Sequence, residues 1–151
     1  GFSLQSISVV WAIYTTISAM SILAGGYLGD RFSMRLVVFV LSMLLTMSIL
    51  VLMLAHSMPM LFLFAALFGA GTGRIPVTTA MRGVYFGSKA FAAITGISMV
   101  PANILLVLAP IYAGSVRDAS GTYDVPFLTI AAVSFLGSFL FLFLGEPKKS
   151  P

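Results

Sequence analysis

Five long apolar runs, separated by short stretches that hold nearly all the charge, set the plan of this 151-residue chain. Crossing a bilayer as a helix takes about 20 apolar residues, and the runs predict helices over about 4–28, 34–55, 60–82, 90–114 and 126–144. The period-2 alternation of a membrane barrel is absent. Helices satisfy their own backbone groups in lipid, so the expected fold is an all-α polytopic bundle of five transmembrane spans forming a single domain.

The polar stretch from Gly25 to Leu36 organises the rest. Asp30, Arg31 and Arg35 are too costly to leave in hydrocarbon, which makes this a tight loop at a membrane surface between two spans. Its glycines, Gly26 among them, let the helix ends come close. Ser33 is suited to cap the second helix.

Within the spans, the few polar groups stand out. In the first, Ser8, Trp11, Tyr14, Thr15 and Ser18 recur at spacings of three and four, a polar face for neighbouring helices or a cavity. The second holds only the small hydroxyls of Ser42, Thr46 and Ser48 and reads as a scaffold helix turned largely to lipid, followed by a turn at His56, Ser57 and Pro59. In the third, Ala65, Gly69 and Gly73 form a ridge of small residues. Arg74 follows at once, and Pro76 cannot donate to the carbonyl of Thr72, so the helix loosens where the arginine sits. From Met60 to Arg74 is roughly 21 Å of rise, which puts the cation beyond the midplane and short of the headgroups.

A loop is expected over Gly83–Ser88 and a longer one over Ser115–Val125, with Pro101, Asn103 and Pro110 bending the span between them beside a cavity. Glu146, Lys148 and Lys149 form a short wet tail.

Composition agrees with this plan and narrows the functions. The chain is 60% hydrophobic and 8% charged, with a mean hydropathy of +1.10, beyond what a water-soluble domain could cover with polar surface. The net charge of +4 lies in separate short loops, not in a patch suited to nucleic acid. Arg31, Arg35, Arg82, Lys89, Lys148 and Lys149 fall on one side of the bundle and Arg117 alone on the other. By the positive-inside rule the Asp30 loop and the C-terminus are cytoplasmic, and Gly1 is outside. The segment from Gly1 to Ser8 lacks the basic region of a signal peptide. There is no cysteine, and no nucleophile–base pair, metal cluster or phosphate loop, so an enzyme and a bound cofactor are not expected.

The run Gly26-Tyr-Leu28-Gly-Asp30-Arg31-Phe-Ser-Met-Arg35 resembles the cytoplasmic loop signature of the major facilitator superfamily, with Ser33 and Met34 in place of the usual Gly and Arg. Arg82 to Gly96 and Asp118 to Phe127 are similar to segments of its monocarboxylate and oxalate-formate type porters. The resemblance implies the last five helices, eighth to twelfth, of a twelve-helix transporter whose first seven, the N-terminal half among them, are missing here, with a central site between two repeated halves. Oxalate-type relatives would carry an arginine in the eighth helix and a lysine in the eleventh. Here the deep cation is Arg74, in the tenth-helix position.

On this reading the protein is a secondary active transporter in a plasma or bacterial inner membrane, moving a small organic anion by alternating access with a proton or sodium ion as coupling partner. Arg74, Asn103, Trp11, Tyr14 and Thr15 are the candidate substrate-binding residues. Gly26, Asp30, Arg31, Arg35 and Arg82 are the candidate conformational switch, in which Asp30 pairs with Arg82 in one state and releases it in the other. Each has a plainer alternative: Asp30 beside a helix dipole, Arg74 bonded to carbonyls freed by Pro76, Asn103 bonded to a neighbouring helix. The competing functions are transport of a neutral or cationic solute and a non-transporting membrane subunit.

Overall fold

A computed structural model describes residues 4–145. These form α1 (Leu4–Arg31), α2 (Met34–Met53), α3 (Met58–Gly71), α4 (Arg74–Ser120) and α5 (Asp124–Leu140). No strand occurs among the described residues. Three helical stretches are long and apolar enough to cross a membrane: Gln5–Arg31, Met34–Met53 and the 63 residues of Met58–Ser120. Glu146, Lys148, Lys149 and Gly1 lie outside the described residues.

The second helix is the post around which the others pack. Val37, Val38 and Leu41 of α2 are buried with Val77 and Met81 of α4, and Leu28, Tyr85 and Phe141 close over them. This corrects the expectation of a helix turned largely to lipid. Ser42, Thr46 and Ser48 are buried at the packing surfaces of α2. A small hydroxyl leaves room for a neighbour, and Thr46 and Ser48 return their hydrogens to the carbonyls of Ser42 and Leu45 within the helix (3.2 and 2.7 Å). The opposite side still presents Leu36, Val40 and Met47 to the surroundings.

The ridge of small residues does what its spacing suggested. A Cβ on Gly69 would stand 3.0 Å from the Tyr14 carbonyl oxygen, and one on Gly73 would stand 2.5 Å from that of Ser21. The loop expected over Gly25–Leu36 narrows to Phe32 and Ser33, and of the glycines that α1 takes in, Gly25 and Gly29 make the close approaches, to Gly73 and Val77, whereas Gly26 faces open space.

The predicted third segment is divided. Thr72 and Gly73 turn between α3 and α4 with tighter, three-residue hydrogen bonds from Thr72 to Gly69, Gly73 to Ala70 and Ile75 to Thr72 (3.2, 3.3 and 3.0 Å). The missing Pro76 donor is thus replaced at the Thr72 carbonyl by the amide of Ile75.

The loop expected over Gly83–Ser88 is instead one residue, Gly87, at φ 71° and ψ 168° inside otherwise helical chain. Phe91 comes within 3.9 Å of where a Gly83 Cβ would stand, although eight residues of straight helix would separate them by about 12 Å. The chain therefore turns a corner there, in a conformation open only to glycine. The Ser115–Val125 loop likewise shrinks: α4 runs to Ser120, Gly121 ends it in the left-handed conformation, and α5 opens at Asp124. Pro101 and Pro110 sit inside α4, and the residue with non-helical φ and ψ within it is Gly87. Ser33 stands at the start of α2 but caps it with its carbonyl, which accepts from Val37 at 3.1 Å, and not with its hydroxyl.

Candidate functional site

The polar face of α1 is a graded surface. Trp11 is 68% exposed, and its ring lies 5.2 Å from that of Tyr14, which in turn lies 5.5 Å from Phe68 of α3. Phe64 extends the row. Thr15 is exposed and donates to the Trp11 carbonyl at 2.9 Å, leaving its oxygen as an acceptor. Ser18 turns inward to share a 2.8 Å hydrogen bond with Thr72, and Ser21 bonds the Ala70 carbonyl. The outer half of the face is therefore an aromatic and hydroxyl wall, and the inner half is joined to α3.

Arg74 is not brought to that wall. Gly73 packs on α1 at Ser21 and Gly25, and one residue of helix rotates the next side chain by about 100°. Arg74 therefore opens into a cavity of about 170 Å³ bounded by Ser42 and Leu45 of α2, by Ser134 and Ser138 of α5 and by Phe141 just past its end. A guanidinium in a membrane segment costs about 2.5–3.5 kcal/mol on insertion scales unless protein or water receives it. The acidic residues of the chain are Asp30, Asp118, Asp124 and Glu146, all near the ends of segments. Ser42 is 4% exposed, and its hydroxyl oxygen has no hydrogen-bond partner among the described residues. The carbonyl of Thr72, which has no donor in Pro76, accepts from the amide of Ile75.

Asn103 is exposed on α4, within a run from Pro101 to Leu108 that no described helix covers. It does not line the cavity of Arg74.

At the other candidate region, Asp30 is exposed at the end of α1 and Arg31 lies over the Tyr27 ring, 5.0 Å from its centroid. Arg82 does not meet Asp30 in this conformation. It lines an apolar pocket with Thr78, Met81, Tyr85, Phe86 and Phe141. Arg35 reaches across to the Leu144 carbonyl at 2.5 Å, and Tyr85 to the Gly145 carbonyl at 2.6 Å. The chain after α5 is thus tied to α2 by Arg35 and to α4 by Tyr85.

Sequence reasoning did not single out Ser134 and Ser138, nor the tie made by Tyr85. The hydroxyl pairs Ser42/Thr46 and Ser134/Ser138 share a spacing of four residues, which puts each pair on one helix face. That signal was legible, but only packing shows that Ser42, Ser134 and Ser138 meet around one arginine.

No curated protein and no solved structure matches the chain at a significant level. A family model does: the one described as Major Facilitator Superfamily matches residues 1–151. With its helical architecture, its long apolar segments and a Gly-x-Leu-x-Asp-Arg run closing α1 before α2, the chain belongs to the major facilitator superfamily.

Proposed function

We infer that the chain works in a secondary active transporter that moves a small solute by alternating access, the solute contacting the outer half of the α1 face. The observation that carries this is the row of Trp11, Tyr14 and Thr15 in the middle of α1, flanked from Ser6 to Gly26 by apolar and small residues. An indole N–H and hydroxyls exposed at membrane depth face protein or a watery cavity more cheaply than lipid. A small organic anion such as a monocarboxylate is the first reading of the solute. The Trp11 indole N–H and the Tyr14 hydroxyl are donors that suit a carboxylate, and Asp30, Asp118 and Asp124 lie at the ends of their helices, away from this row.

A neutral solute is the second reading, favoured by one observation: Arg74 opens toward α2 and α5, which leaves the α1 face without a cation. On either reading the Asp30 loop and the corner at Gly87 are cytoplasmic, as the basic residues around them suggest. Asp30 and Arg82 would pair in the alternate conformation.

Uptake into proteoliposomes holding the intact protein separates these readings. A panel of short monocarboxylates, a hexose and an organic cation is presented in turn. Transport of a monocarboxylate whose KM rises about tenfold in Tyr14→Phe/Thr15→Val, with the variant still monodisperse, supports the first reading. Hexose uptake with the same response supports the second. Uptake unaffected by the double substitution removes the α1 face from the solute path.

A further inference from the structure

We propose that the cavity between α2, α4 and α5 is a site for a small monovalent inorganic anion of about the size of chloride, held by Arg74 and Ser42. The site does not depend on which solute is carried, because it lies behind the α1 face and not on it.

Its chemistry is unbalanced in one direction. Arg74 brings five N–H donors and no acceptor, and the Ser42 hydroxyl, buried on the same cavity wall, has a donor to give and no partner among the described residues. The acceptors there are neutral: Ser138 gives its hydrogen to the Ser134 carbonyl at 2.7 Å and offers only an uncharged oxygen, the Thr72 carbonyl is bonded to Ile75 at 3.0 Å, and among the described residues no carboxylate lines the cavity. Water would satisfy single hydrogen bonds there, but it would leave the positive charge uncompensated in a segment flanked by hydrocarbon. One halide or similar ion meets both needs, taking N–H bonds from Arg74 and the O–H bond from Ser42. A volume of about 170 Å³ leaves room for the ion with several waters. Leu45 and Phe141 give the cavity apolar walls, beside which the attraction of an anion to the guanidinium is less weakened than in open water. A divalent anion would exceed the single positive charge present.

The test is ligand-dependent stability of the intact protein in lipid nanodiscs. The preparation is exchanged into gluconate and titrated with chloride or bromide at constant ionic strength, and the thermal midpoint is followed by loss of the monodisperse peak. An ion that binds the folded state alone raises the midpoint saturably. Chloride and bromide are expected to do so in the wild type. Arg74→Gln should abolish the rise, Arg74→Lys should keep it at a weaker half-saturation, and Ser42→Ala should raise the half-saturating concentration about tenfold, as for loss of one hydrogen bond to a charged group. Should Arg74→Gln fail to fold, Ser42→Ala decides. A wild-type midpoint that ignores chloride, a rise preserved in Arg74→Gln, or a half-saturation unchanged in Ser42→Ala overturns the site.

Discussion

Replacing Gly25 by alanine tests the seam between α1 and the start of α4 against a control one residue away. A Cβ at Gly25 would stand 2.7 Å from the Gly73 carbonyl carbon and 2.9 Å from its Cα, with the Gly73 oxygen nearer still. Carbon pairs rest at about 3.5–4.0 Å, so the helices must part by roughly 1 Å, and the obstacle is backbone that cannot rotate away. Overpacking of this kind costs about 1–3 kcal/mol. Parting also weakens the Ser18–Thr72 and Ser21–Ala70 hydrogen bonds, worth about 0.5–1.5 kcal/mol each. Against this stands the gain of about 0.5–1 kcal/mol for alanine over glycine in a helix. Gly26→Ala takes that gain freely, since nothing lies within 4 Å of its Cβ position. The two variants should differ by about 2–4 kcal/mol, roughly 30- to 700-fold in the unfolding equilibrium. Gly29→Ala should fall between them, because its Cβ would meet only the Val77 methyls at 3.2 Å. Unfolding of the protein in mixed micelles, titrated with a denaturing detergent and followed by circular dichroism, gives the ordering. Equal stability of Gly25→Ala and Gly26→Ala would refute the reasoning.

The corner in α4 should depend on its glycine: Gly87→Ala forces an alanine to φ 71° and should cost about 1–3 kcal/mol, while Gly96→Ala, with open space around it, should be neutral or stabilising in the same titration. If Asp30 and Arg82 pair in the alternate state, Asp30→Asn should slow transport with little change in equilibrium solute affinity. Asp30→Arg with Arg82→Asp should restore part of the rate, and strictly additive losses in flux assays would count against the pairing. With no native cysteine in this chain, Ser33→Cys and Ser120→Cys report orientation. An impermeant thiol reagent added outside intact cells is expected to label the second and spare the first, and the opposite pattern reverses the topology.

The sequence by itself determined the class of this protein and much of its helix plan. Five apolar runs broken by charge leave helices as the structure that satisfies a backbone in lipid, and the close approach at Gly69 and Gly73 was legible because a four-residue spacing of small residues puts them on one face. The loop from Gly25 to Leu36 carried the family signature in its own residues. Helix ends were legible only in part. Both expected loops after the third segment collapsed to a single glycine and a three-residue turn, because a positive φ reverses the chain in one residue while leaving polar helix ends looking like loop in the sequence. Direction was the other thing hidden. Arg74 is visible as a deep cation, but whether it opens toward α1 or toward α2 and α5 depends on which face of the helix Gly73 commits to α1, a contact between residues about fifty positions apart. Burial of α2 was hidden for the same reason. Its apolar residues would suit lipid or protein equally well, and only the packing of Val77, Met81 and Phe141 against it made it the centre of the bundle.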